Sequence, residues 1–186
     1  MRIALSLLIL GLPVAAHAQV AEVPSAVPTF AKLCLTGGID PNARPAALLA
    51  ASWTKDAVAT IDVAKLAISK TIDPNYDFSK PKSAEQWSGT IDGRSAKIVL
   101  ATFPDKRRYL NLCALTTEGI KNALPYGSDL REAFKTFGIK GKSVDLVHYY
   151  EFAGKVGSDK HPVRGEIFSR SLATGGSDTM HIYVAY

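Results

Sequence analysis

The C-terminal third of the chain alternates apolar and polar residues with period two. Over Val163 to Ser171, Val163, Gly165, Ile167 and Ser169 oppose Arg164, Glu166, Phe168 and Arg170. Over Thr179 to Tyr186, Met180, Ile182 and Val184 oppose His181, Tyr183 and Ala185. A third run, Val144 to Phe152, is rich in Val, Tyr and Phe, the residues that fit a pleated surface. The connectors 153–160 and 172–178 hold Gly, Ser and Asp, as hairpin loops do. This pattern predicts three strands in sequence.

The stretch Gln86 to Thr117 predicts three more. Asp92-Gly93 between two strand-like runs signals a two-residue hairpin, because both turn positions need positive φ. Ile98, Val99 and Leu100 are consecutive and apolar, so this strand is expected to be buried on both faces. Pro104-Asp105 suits the centre of a type I turn. In the third run Tyr109, Asn111, Cys113 and Leu115 are expected on one side, and Leu110, Leu112 and Ala114 on the other.

Helical spacing appears elsewhere. Phe30, Leu33 and Cys34 share a face of a short helix over 28–35, which Gly37-Gly38 ends. Asp40-Pro41 reads as a cap and first position for an alanine-rich helix over 44–53, with Leu48, Leu49 and Trp53 on its apolar face. A short helix is expected over 117–124. Another over 128–137 has Leu130, Ala133, Phe134 and Phe137 at i, i+3, i+4 and i+7, a capping box from Asp129 and Glu132, and Gly138 as its stop. The segment 55–83 is the least readable and is assigned mostly to loop.

Helices, three strands, helices and three strands imply an α+β fold. We expect a single twisted antiparallel sheet of about five or six strands, with the N-terminal and mid-chain helices packed on one face. In element order the chain resembles the ligand-sensing PAS and profilin-like groups, which implies a ligand-binding role.

The first residues change where this domain is placed. Met1-Arg2, the apolar run Ile3 to Ala16 and Ala16-His17-Ala18 have the grammar of a secretory signal cut after Ala18. The run is too short for a span of roughly 20 residues. Residues 1–18 are therefore expected to be a signal peptide and 19–186 a single α+β domain. The destination is export, to the periplasm first and otherwise the extracellular space, with no membrane span in the remaining chain. Export also decides the cysteines: Cys34 and Cys113 are expected to form a structural disulfide. The formal charge of +5 falls to about +4 without Arg2, and the basic residues are scattered. A nucleic-acid surface would show a denser stripe with interleaved aromatics. The Lys106-Arg107-Arg108 group reads as a charged hairpin tip rather than a lipid or cell-wall contact.

Candidate chemistry is sparse. Past residue 18 the histidines are His148, His161 and His181, none in a metal-binding pattern, and no nucleophile elbow or phosphate-binding glycine loop occurs. No metal or other cofactor is called for. Gly175-Gly176-Ser177 reads as a hairpin loop before an anion nest. A Ser169–His181 pair would still need an orienting acid and an oxyanion site. Asp145, Glu151 and Glu166 have polar neighbours and read as surface carboxylates. The most pointed grouping is Arg164 and Arg170 on one strand face with His181 and Tyr183 on another. If those faces coincide, they form a candidate ligand-binding site for an anionic group, since arginine grips carboxylate or phosphate and tyrosine adds an apolar body with a polar tip. The simpler alternative is a solvated outer sheet face. The sequence thus reads as a non-enzymatic binding module for a small, anionic ligand or an envelope protein partner. A small periplasmic hydrolase with an unidentified Ser/His or carboxylate site stays open. So does a structural or inhibitor accessory acting through a sheet edge.

Overall fold

The computed structural model describes residues 25–36, 42–57, 60–63, 78, 80–104, 108–120, 123, 126–145, 149–158, 160–170 and 178–186. The expected signal peptide, Gly37-Gly38, the expected Asp40-Pro41 cap, most of the segment 55–83, Lys106-Arg107, His148 and Gly175-Gly176-Ser177 lie outside the described residues.

The chain is α+β, with one antiparallel sheet and three helices. The helices are α1 (Ala26–Phe30), continued by a π-helical turn (Ala31–Leu35), then α2 (Ala43–Ala50) and α3 (Gly127–Thr136). The strands are β1 (Thr54–Lys55), β2 (Ser83–Ile91), β3 (Arg94–Thr102), β4 (Asn111–Glu118), β5 (Lys140–Asp145), β6 (Tyr149–Val156), β7 (His161–Arg170) and β8 (Thr179–Ala185). They form an eight-stranded sheet in the order β1-β2-β3-β4-β8-β7-β6-β5. The expected five or six strands were too few for two reasons. The run read as one strand over 144–152 belongs to two, β5 and β6. The short β1 pairs with Ser88 and Trp87 inside the segment read as loop.

Two antiparallel meanders, β2–β4 and β5–β8, meet where β4 pairs with β8 at the sheet centre. The first meander turns at Asp92-Gly93, whose φ values of 51° and 72° are those a two-residue hairpin needs. Ser25, ahead of α1, ties this turn to the helices: its N–H and its hydroxyl both donate to the Asp92 carboxylate, at 3.1 and 2.7 Å. Thr117 and Glu118 are not helical. They extend β4 and pair with Met180 and Thr179, because the long β8 offers partners to the end.

The helices cover one face, as expected. Phe30, Leu33, Cys34, Leu48, Leu130 and Phe134 are buried there against Ile98, Leu115, Ile167, Ile182 and Val184. The Cys34–Cys113 disulfide bolts the π-helical turn to β4 in mid-sheet, and a loop of this size contributes about 4 kcal/mol in chain-entropy terms. Trp53, just past α2, lies flat over β2 at Gly89, where any Cβ would come within 2.6 Å of the indole. Leu49 does not join the apolar face of α2 and is exposed. The capping box of α3 does not form. The helix starts at Gly127, so Asp129 falls inside the first turn, and Glu132 pairs with Lys135 at 2.8 Å instead.

The opposite face is not solvated. Val63, Phe78, Val99, Ala101, Phe103, Tyr109, Leu112, Ala114, Phe168, Tyr183 and Ala185 make a second buried cluster there. Tyr109 joins this cluster, not the Cys113 side on which it was expected. The N–H groups of Leu110 and Asn111 both donate to the Tyr186 carbonyl, at 2.9 Å each. This bulge-like pairing offsets the alternation ahead of β4.

Candidate functional site

The predicted constellation does share one face. Across β7 and β8, Arg164 opposes Ala185, Glu166 opposes Tyr183, Phe168 opposes His181 and Arg170 opposes Thr179. Directly opposed residues of an antiparallel pair project to the same side. Ser169 opposes Met180, so its side chain leaves from the other side of the sheet, and no Ser169–His181 pair forms.

Burial changes what this group can do. Arg164 is 6 % exposed, His181 8 % and Tyr183 0 %. Nε of Arg164 donates to Oε1 of Glu166 at 2.9 Å, and Nη2 lies 3.0 Å from Oε1 of Glu151. Glu151 and Glu166 oppose each other across β6 and β7. A guanidinium bridging two carboxylates has no surplus positive charge for an anion. Glu166 is completely buried and not a surface carboxylate as expected, whereas Asp145 is exposed. Burial pushes the Glu166 carboxyl up; hydrogen bonding from Tyr183 and the charge of Arg164 hold it back, and Glu151 adds to the rise. Its Oε2 has no hydrogen-bond partner among the described residues.

His181 stacks on Phe168 with ring centroids 4.9 Å apart. Its Nδ1 and Nε2 each lie 3.0 Å from a hydroxyl, of Thr116 and Thr179 respectively. Burial, and then the nearby Arg170, depress it to about 4, so it is neutral at neutral pH. Arg170 is half-buried over the Phe168 ring. These residues form an ionic and aromatic centre inside the sheet's second face.

Space exists on the helix-covered face, at the ends of β2, β3 and β4. A cleft of about 230 Å³ is lined by α2, these three strand ends and Tyr186. The register builds its polar edge: Ser83 opposes Thr102, and Thr102 opposes Asn111. The Ser83 and Thr102 hydroxyls are hydrogen-bonded at 2.7 Å. Glu85 adds a carboxylate bonded to Lys55 at 2.7 Å. Pro45 and Leu100 supply apolar wall, and Ala101 and Leu112, whose side chains belong to the opposite face, border the cleft between them.

Arg44 closes the α2 side and is only 2 % exposed. Its Nε and Nη2 donate to the Cys34 carbonyl at 3.0 and 2.7 Å, one of the helix-end carbonyls that lack an intrahelical donor. Its guanidinium lies 4.5 Å from the centre of the Tyr186 ring. Because Cys34 is bonded to Cys113, next to Leu112 in the cleft wall, the disulfide holds both sides of the cleft in place. The buried Tyr186 hydroxyl has no hydrogen-bond partner among the described residues. Sequence reasoning missed this site. One signal was present: Arg44 is four residues before Leu48 and so shares the buried face of α2.

Among the described residues no three His, Cys, Asp or Glu side chains converge in a way that could hold a metal ion. No described helix is long and apolar enough to cross a membrane. No family model, curated protein or solved structure matches this chain.

Proposed function

We propose that this protein is an exported binding module for a small ligand, seated in the cleft between α2 and the ends of β2–β4. The observation that carries this reading is the cleft itself: apolar wall from Pro45 and Leu100 and a row of hydrogen-bonding side chains from three adjacent strands. Natural ligand sites combine a mostly apolar enclosure with a few placed polar groups in this way. The volume suits a metabolite with a small apolar body and a polar edge. The disulfide accords with an oxidising compartment, and it pre-organises the cleft rather than taking part in chemistry.

The test is a thermal-shift screen of the oxidised protein against small organic acids, sugars and nucleosides. A ligand at a hundred times its dissociation constant adds about 2.7 kcal/mol of stability. For any hit, Asn111→Leu is expected to weaken binding up to about tenfold, the loss of one good hydrogen bond. A hit whose affinity is indifferent to Asn111→Leu and to Ser83→Ala does not sit in this cleft and contradicts the reading.

A further inference from the structure

A different feature lies at the outer end of β5 and β6. Lys140 and Lys155 are directly opposed across this strand pair, a placement in which like charges repel. Lys142 lies two residues along on the same side of β5, and Lys160 stands in the β6–β7 turn with φ 54°. All four are exposed. No hydrogen bond or ion pair reaches any of their side chains among the described residues. Gly138, Lys140, Lys155, Gly157, Ser158 and Lys160 line an open depression of about 640 Å³. Its lining contains no carboxylate and no aromatic ring; Asp159, in the same turn, lies outside the described residues.

We propose that this depression is a second binding site, for a compact anion carrying several phosphate groups. Lysine ammonium groups act on phosphate as point charges without the bidentate geometry of arginine. Three of them around one concavity suit clustered negative charge. A nucleic acid is disfavoured, because nothing in the lining could stack on a base. A membrane surface is disfavoured too, because the site is concave and none of its lining residues is apolar. Opposed lysines that cost stability in the empty protein are accounted for by an anion that neutralises both. This site shares no residue with the α2 cleft, so either proposal can fail without the other.

The experiment is calorimetric titration of the oxidised, full-length chain with tripolyphosphate at low ionic strength. Binding is expected at a dissociation constant of about 0.1 mM or tighter, weakening several-fold as salt rises to about 0.2 M and screening shortens. Lys140→Gln and Lys155→Gln are each expected to weaken it roughly three- to tenfold. Each should also raise the melting temperature of the ligand-free protein slightly, which shows that the variant is folded. Lys32→Gln, an exposed lysine on the π-helical turn, is expected to change nothing. No binding up to about 1 mM, or binding untouched in the Lys140→Gln/Lys155→Gln double variant, would overturn the proposal. So would attachment to phosphatidylglycerol vesicles by a protein that ignores tripolyphosphate.

Discussion

The α2 cleft and the Arg164 centre lie on opposite faces of the same sheet, and each contains a nearly buried arginine. At the centre, Arg164 is held between Glu151 and Glu166, at 3.0 and 2.9 Å, with its own charge taken up by these carboxylates. At the cleft, Arg44 is anchored by a backbone carbonyl and a tyrosine ring, and it borders about 230 Å³ of open volume. Residue types alone favour the centre, where Arg, His and Tyr converge. The difference teaches that a cluster of functional side chains becomes a binding site only when it keeps volume and hydrogen-bonding capacity for something else. Turned on one another, the same side chains form a structural core.

The largest effect expected from that contrast is on Arg164. Arg164→Met leaves two carboxylates facing each other, one of them fully buried, and should cost about 3–5 kcal/mol in denaturant unfolding. The affinity of the remaining folded protein for a cleft ligand should be unchanged. A parallel loss of that affinity would break the distinction between the two regions.

His181 comes next. Its folded pKa of about 4 lies below the ordinary value of 6.5, so the native state binds fewer protons than the unfolded chain between these limits. Its contribution is complete above pH 6.5 and is lost as pH falls through about 4, up to about 3 kcal/mol. Chemical denaturation across this window should show the loss in the natural protein and a shallower slope in His181→Gln.

The smallest effect is on Glu166, and it has the opposite sign. A carboxyl held above its ordinary range favours the native state at low pH and loses that advantage as pH rises through the folded value. Glu166→Gln keeps the shape and removes a charge that burial penalises, so its stability should stay within about 1 kcal/mol of the natural protein. Relative to that protein, it should gain as pH rises. A loss as large as that of Arg164→Met would mean that the ionised pair, not the guanidinium's packing, dominates the centre.

The period-two pattern of β7 and β8 was legible, so Arg164 with Arg170, and His181 with Tyr183, could each be placed on one side of a strand; that the two sides coincide follows from the register of β7 with β8. Alternation assigns a side, however, and says nothing of what covers it. Val63 and Phe78 bury that face from the segment read mostly as loop, in which only 61–68 shows a short helical spacing. The cysteine pair was legible because two cysteines in a chain expected to be exported point to a disulfide. The cleft was not, because it arises from register. Ser83, Thr102 and Asn111 are distant in sequence and meet only when β2, β3 and β4 align. The opposed Lys140 and Lys155 were hidden for the same reason, with the further obstacle that β5 had been merged with β6.

The most direct measurement is amide chemical-shift mapping of the oxidised, isotope-labelled protein with the strongest hit of the ligand screen. The expected result is a cluster of shifted signals at Ser83, Thr102, Asn111 and Tyr186, with Glu151, Glu166 and His181 unmoved. Shifts centred on Glu151, Glu166 and His181, with the strand ends silent, would contradict the account and return the binding site to the opposite face of the sheet.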